Sequence, residues 1–144
     1  MARTYRLSLP RRLANAAIRP VVRLGLGARH TYILSVRGRR SGRLYSTPVT
    51  LVENGERWLV APYGERGWVK NARAAGRVEL SRGGRTETVE VSEVGPEEAA
   101  PVLREYVRRV RVARPFFDAP PDAPTAAFAA EARQHPVFRL RAAD

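Results

Sequence analysis

Cysteine is absent from this 144-residue sequence, which removes disulfides, thiolate catalysis and cysteine-based metal sites. Only His30 and His135 offer imidazole groups, and they lie far apart without clustered carboxylates beside them. This pattern is not typical of a metal enzyme, and we predict no metal site. No run of about eighteen apolar residues could span a membrane, and arginines interrupt the N-terminus where a signal peptide needs an apolar core. We therefore expect a cytoplasmic protein.

Lysine is nearly absent as well. Lys70 is the only lysine among 26 basic residues, so 25 of them are arginine, and the formal net charge is +12. The arginine and alanine content is typical of a GC-rich coding preference, which explains part of this excess. The remaining positive charge predicts an anionic partner, which could be a phosphorylated cofactor, a nucleic acid or an acidic membrane surface.

The length and the apolar fraction of 44% are typical of one globular domain with its own core. We interpret residues 1–144 as a single domain with a basic helical segment at 1–29 and a barrel core at 31–94. Residues 95–144 follow as a helix, a proline-rich loop, a short helix and a closing strand. In the first part, residues 8–26 predict a helix interrupted by one proline. This helix either packs on the sheet or contacts anionic lipid at the inner face of the membrane.

Apolar and β-branched runs between turn residues predict six strands. They cover residues 31–37, 44–53, 57–62, 77–81, 85–94 and 135–140. Asn54-Gly55 predicts a two-residue hairpin turn, and Gly83-Gly84 predicts a second hairpin. Pro48 lies inside the second strand, which predicts an edge or a bulge there.

Short helices are predicted at residues 65–75 and 126–133, and the longest helix is predicted to begin at Gly95-Pro96. Gly76 is predicted to end the first of them. The chain is too rich in strands for a helix bundle and has no βαβ alternation. We therefore predict a mainly β (α+β) protein, with a split antiparallel β-barrel of about six strands and flanking short helices.

A possible binding site lies between the first strand and the first short helix. Arg39, Arg40 and Ser41 form a turn rich in cationic and hydroxyl donors, next to glycines that allow close approach to a ligand. A Pro-Tyr-Gly loop precedes the start of the helix, where backbone N–H groups favour an anion. Trp68 and Asn71 lie three residues apart on that helix and therefore face the same way. This arrangement suits a planar, phosphate-bearing molecule, although a solvated turn and simple helix packing would give the same pattern.

These residues resemble a known family. The sequence is similar to deazaflavin-dependent nitroreductases over residues 31–94, through Gly38-Arg39-Arg40-Ser41-Gly42, Ser46-Thr47-Pro48, Ala61, Gly64, Trp68 and Asn71. Members are split-barrel oxidoreductases of high-GC bacteria that use coenzyme F420. The resemblance implies an F420H2-dependent oxidoreductase that transfers a hydride to a small organic acceptor, namely a quinone, a nitroaromatic compound or an activated C=C bond.

The resemblance also implies which residues bind the cofactor. The residues that bind its phosphate and glutamyl tail are Arg39, Arg40 and Ser41. The residues that line its ring are Thr47, Pro48 and Val49. The wall beside both is formed by Ala61, Pro62, Tyr63, Gly64, Trp68 and Asn71. Tyr63, with Tyr45 behind it, is the candidate catalytic proton donor, although both could simply anchor the barrel rim. Many relatives have an arginine in place of Tyr45, and the loop at 63–68 is shorter here.

Other ligands fit the same barrel. FMN-binding proteins and non-catalytic lipid- or fatty-acid-binding proteins also use split barrels, so FMN is the alternative cofactor. A nucleic-acid-binding basic barrel is a third candidate, but the arginines are spread over helices and turns alike, and we expect no nucleic-acid partner. The expected partner is a small-molecule electron acceptor, and a homodimer is left open.

Overall fold

The computed structural model describes residues 29–143, which form one closed antiparallel barrel with helices around it. The strands are β1 (Thr31–Arg37), β2 (Leu44–Glu53), β3 (Arg57–Val60), β4 (Arg77–Arg82), β5 (Arg85–Glu93) and β6 (Val137–Ala142). The α-helices are α1 (Gly67–Ala75), α2 (Pro96–Arg109) and α3 (Thr125–Glu131), with 3₁₀ turns at Arg111–Phe116 and Ala132–Gln134. The predicted helix at 8–26 and its lipid contact lie outside the described residues.

The strand order around the barrel is β1-β2-β3-β6-β5-β4, and β4 pairs with β1 to close it. The first three strands form the expected meander, and β4 and β5 form the expected hairpin. Strand β6 inserts between β3 and β5, pairing Leu59 with Phe138 and Val91 with Leu140. The prediction of a mainly β split barrel with six strands and short flanking helices is thus confirmed.

The two glycine-containing hairpin turns differ from each other. Arg82 pairs with Arg85, so Gly83-Gly84 is a two-residue turn, and both glycines have positive φ, at 59° and 77°. At the other turn Glu53 pairs with Arg57, which leaves three residues in the loop. The two-residue prediction for Asn54-Gly55 is therefore wrong. The Asn54 N–H donates to the Glu56 carbonyl at 3.0 Å, which draws Glu56 into the turn.

Pro48 lies at an edge, as its position predicted. At Pro48, strand β2 pairs with Ile33 of β1, whereas its pairing with β3 begins only at Leu51. No strand of the described chain therefore pairs with the other side of β2 at Pro48, and a residue without an N–H is tolerated there.

The last strand begins two residues later than predicted, at Val137, and the Pro136 carbonyl accepts from the Ala61 N–H at 2.8 Å instead.

Strand β3 separates two apolar cores because both of its faces are buried. Leu59 points into the barrel with Leu34, Leu51 and Phe138. Trp58 and Val60 point the other way, into a second core that α2 and α3 cover. The alternation of side chains along a strand accounts for this division, since successive residues face opposite sides of the sheet.

A polar network closes the end of the β1–β2 hairpin that lies away from its turn. The Glu53 carboxylate accepts from the Tyr32 hydroxyl at 3.1 Å, contacts His30 Nδ1 at 2.8 Å and accepts from Arg57 Nε at 3.2 Å. Burial works to raise the pKa of the Glu53 carboxyl, but the hydrogen bonds from His30 and Tyr32 and the charge of Arg57 outweigh it and hold that pKa below its ordinary value of 4.5.

This network predicts a pH dependence of stability. Because the pKa of Glu53 is lower in the folded protein, its contribution is complete above the unfolded value of 4.5 and is lost as the pH falls through the folded pKa. We expect the free energy of unfolding of Glu53→Gln to fall less steeply at acid pH than that of the native sequence. Urea denaturation at several pH values measures this. Glu97→Gln removes an exposed carboxylate and is the control. If the free energy of unfolding falls equally steeply with acid pH in Glu53→Gln and in the native sequence, the assignment is contradicted.

Candidate functional site

The β1–β2 turn and helix α1 enclose a cleft of about 340 Å³. It is lined by Gly38, Arg39, Arg40, Ser41, Tyr45, Gly67, Trp68 and Asn71. The structure therefore brings together the arginine turn and the tryptophan–asparagine face of α1, the two sequence features that were predicted to bind one ligand. Trp68 is half-buried and also packs against the barrel interior, so it contributes to both packing and the cleft.

Asn71 fixes the arginine turn to the helix. Its Oδ1 accepts from the backbone N–H of Arg39 at 3.0 Å and from Arg39 Nη1 at 2.8 Å, across 32 residues of sequence. The Asn71 side chain is only 7% exposed. This double contact orients the Arg39 guanidinium at the cleft and holds the turn in one conformation.

Tyr45 packs against the turn. A Cβ added to Gly38 would come within 2.6 Å of Tyr45 Cε2, so a side chain at this position would displace the Tyr45 ring from the turn. The Tyr45 hydroxyl lies 3.2 Å from Ser41 Oγ, which also accepts from the Arg43 N–H at 3.2 Å. The ring remains 48% exposed. Tyr45 thus belongs to the rim of the arginine cleft.

No carboxylate within residues 29–143 neutralises the charge of Arg40 in the cleft. Arg40 is exposed and has no hydrogen-bond or ion-pair partner in the range 29–143. Arg73 on α1, by contrast, contacts Glu93 at 2.6 Å and Glu65 at 2.9 Å. The N-terminus of α1 adds to the positive potential, because no side chain of the described residues caps it and its first turn contains no acidic residue. The cleft is therefore suited to an anion.

The remaining predicted residues line the barrel elsewhere. Thr47, Pro48 and Val49 lie half-buried along β2 beyond Tyr45, and Val49 packs against the barrel interior. Ala61 and Pro62 are buried at the end of β3, and Gly64 adopts a φ of 89°. These residues are not among those that line the 340 Å³ cleft.

Tyr63 points toward the helical side of the barrel. Its ring meets Phe116 edge-on, with the ring centroids 4.9 Å apart. Burial, with the nearby Tyr63 hydroxyl as the smaller cause, raises the pKa of Tyr106 far above its ordinary value. Tyr63 and Tyr45 therefore occupy different surroundings, and the structure does not bring the two candidate proton donors together.

Sequence reasoning missed one group of buried polar residues next to Pro62. His135 and Glu131 are 3% and 5% exposed, and His135 Nδ1 lies 2.8 Å from the Pro62 carbonyl oxygen. Their spacing of four residues is that of an ordinary surface pair on a helix, so no sequence pattern indicates that they are buried. No cluster of His, Cys, Asp and Glu that could hold a metal is found within residues 29–143. None of the helices in that range is long and apolar enough to cross a membrane.

The sequence matches one protein family. Residues 11–118 match the family described as F420H(2)-dependent quinone reductase, which covers most of the chain. No curated protein matches the sequence.

Several solved structures are similar to this chain, among them the following three. The Agrobacterium tumefaciens protein Atu2129, of unknown function, has a TM-score of 0.57 and 19% identity, and the match covers 91% of this chain but only 56% of Atu2129. An F420-H2 dependent reductase, FDR-A, has a TM-score of 0.54 and 23% identity over 78% of this chain and 95% of its own. HutZ, the heme storage protein of Vibrio cholerae, has a TM-score of 0.54 and 15% identity over 81% and 83%. At these identities the likeness shows the fold alone.

The contact between Asn71 and Arg39 predicts a structural cost for its removal. Asn71→Ala leaves the Arg39 N–H and guanidinium without their acceptor, which we expect to lower the free energy of unfolding by about 1–3 kcal/mol. Urea denaturation measures this. Lys70→Ala, at an exposed position of the same helix, is the control and should cost less. Equal losses in the two variants would contradict the role assigned to Asn71.

Proposed function

This chain belongs to the F420H(2)-dependent quinone reductase family, and from that premise we propose that it catalyses the F420H2-dependent reduction of a quinone. Family membership makes the protein an oxidoreductase whose cofactor is coenzyme F420. The observation that carries the proposal is the cleft where Asn71 orients Arg39 beside an unpaired Arg40, judged within residues 29–143. Nitroaromatic compounds and activated C=C bonds are the competing acceptors.

The cleft fits the anionic part of this cofactor. Guanidinium groups bind phosphate and carboxylate with paired N–H donors, and Arg40 has no protein carboxylate competing for it in the described chain. Ser41 and Tyr45 add hydroxyl groups at the rim, and the N-terminus of α1, which no side chain within residues 29–143 caps, borders the same cleft. We propose that these groups hold the phosphate and glutamyl tail.

We propose that the two segments outside the cleft hold the ring. Thr47, Pro48 and Val49 would line it on one side, and the segment from Ala61 to Gly64 would form the wall beside it. When bound, reduced F420 supplies a hydride from its ring carbon. The protein's own task is therefore to orient the ring and the acceptor and to provide a proton.

Tyr63 is the proposed proton donor for the reduced acceptor. It belongs to the proposed wall, and the proton would come from its hydroxyl oxygen. The Tyr45 hydroxyl already contacts Ser41 in the arginine cleft, which favours tail binding for Tyr45 over proton donation.

Cytoplasmic location, a homodimer and a membrane contact by residues 8–26 stay predictions from the sequence.

A titration with F420, and separately with FMN, tests the cleft by quenching of tryptophan fluorescence. We expect F420 to bind, and Arg40→Ala to weaken binding about tenfold because one charge-assisted contact is lost. Arg85→Ala removes the same charge from the β4–β5 hairpin, outside the cleft, and should change the affinity less than about twofold. Preferential binding of FMN, or equal weakening in both variants, would contradict the assignment.

The acceptor is tested by following F420H2 oxidation with a soluble quinone, a nitroaromatic compound and an enone. We expect the quinone to give the highest kcat/KM. Tyr63→Phe keeps the ring contact with Phe116 but removes the hydroxyl, and it should lower kcat about 10- to 100-fold with little change in F420 affinity. Tyr45→Phe is the matched control and should leave kcat nearly unchanged. The reverse ranking of the two variants would identify Tyr45 as the donor.

A further inference from the structure

A buried acid–base pair lies directly behind the proposed cofactor wall. Glu131 ends α3, and His135 follows the short 3₁₀ turn after it. His135 Nε2 lies 2.9 Å from Glu131 Oε1, and the two residues are 3% and 5% exposed. Neither residue belongs to the arginine cleft, and the function proposed above does not use them.

The partners of the pair fix the orientation of the imidazole ring. A carbonyl oxygen can only accept, so the 2.8 Å contact with Pro62 requires a proton on His135 Nδ1. Glu131 accepts from the backbone N–H groups of Asp118 and Ala119 at 3.0 and 2.7 Å, which holds its carboxyl group in place. The Phe117 ring stacks on the imidazole at 3.8 Å with an angle of 18°. His135 is therefore held on both ring nitrogens and on one face.

The same segment supports the wall at neighbouring points. The Pro136 carbonyl accepts from the Ala61 N–H at 2.8 Å, and the Gln134 carbonyl lies 3.6 Å from where a Cβ on Gly64 would be. Strand β3 ends at Val60, so the wall has left the sheet ladder. At Pro62, the His135 side chain therefore supplies the hydrogen bond that a neighbouring strand would supply within the sheet.

Stability alone does not explain why His135 and Glu131 are buried as a pair. Burying two ionisable groups carries a desolvation penalty, and well-packed apolar residues of similar size often stabilise a core as much or more. Phe117, Ala119 and Phe128 already make this region apolar. A buried pair aimed at one backbone carbonyl is better explained by the position it imposes on that carbonyl.

We propose that His135, oriented by Glu131, is a positioning residue that fixes the segment from Pro62 to Gly64, and thereby sets the placement of the deazaflavin ring and of Tyr63. This inference rests on the function proposed above. The tail is anchored separately at Arg39 and Arg40. Loss of His135 therefore affects hydride transfer more than cofactor affinity.

Three variants separate position from stability. His135→Phe fills the volume but cannot donate to Pro62. Glu131→Gln offers an amide N–H to Nε2 of a neutral ring, so that Nδ1 still donates to Pro62. His30→Asn disrupts the other histidine–carboxylate contact, between His30 and Glu53, and is the matched control. Urea denaturation gives the stability of each variant.

Turnover is measured with the quinone, and F420 affinity by tryptophan quenching. We expect His135→Phe to lower kcat at least about tenfold while the F420 Kd changes less than about threefold, because small misplacement of a reacting group is costly. Glu131→Gln should retain most of kcat even where it is less stable than His135→Phe. His30→Asn should turn over like the native sequence.

A readout without cofactor accompanies these assays. In the apo protein, we expect the backbone amide resonances of Tyr63 and Gly64 to shift in His135→Phe and to stay near their native positions in Glu131→Gln. If kcat follows stability across the set, or if His135→Phe leaves both kcat and these resonances unchanged, the proposal is overturned. If the native protein binds no F420, the proposed function fails, and the resonances still decide whether His135 positions the wall.

Discussion

The double hydrogen bond from Arg39 to Asn71 Oδ1 is the interaction on which the candidate site depends. Without such a contact, the guanidinium groups of two adjacent arginines would extend apart into solvent. The buried Asn71 accepts from both the backbone and the guanidinium of Arg39, and so ties the turn to α1. Arg40 is consequently held next to a like charge without a carboxylate from the described chain to neutralise it. Local repulsion of this kind is relieved by an anionic ligand.

The barrel contributes by its closure rather than by its strands alone. Strand β6 inserts between β3 and β5 and brings the segment around His135 against the end of β3. The arginine turn lies at the end of β1, and the wall lies at the end of β3. The two halves of the site therefore lie at the ends of different strands, whose relative position is fixed by the ladder. A rigid sheet with functional groups at its strand ends is a common solution for holding a planar cofactor.

Local patterns were sufficient to predict most elements, but not how they meet. Residues 31–37 and 44–53 were predicted with the bounds observed, because β-branched runs bounded by glycine are unambiguous, and Gly76 ends α1 with a φ of 75° as expected. The three-residue turn at Asn54 was missed because a backbone hydrogen bond to Glu56 decides it. The Glu131–His135 pair was missed because its burial comes from α3 and β6 folding back onto Pro62, and no local period encodes that contact.

The position of β6 in the barrel also governs the order in which the protein can be completed during synthesis. Until residues 137–142 have emerged from the ribosome, β3 and β5 each keep one edge with exposed peptide groups. The nascent chain must therefore carry two open sheet edges through the synthesis of α2 and α3, a span in which edge-to-edge association competes with folding. The four-residue length of β3 and the repeated charges along β5 limit that risk, since short and charged edges are poor templates for another strand.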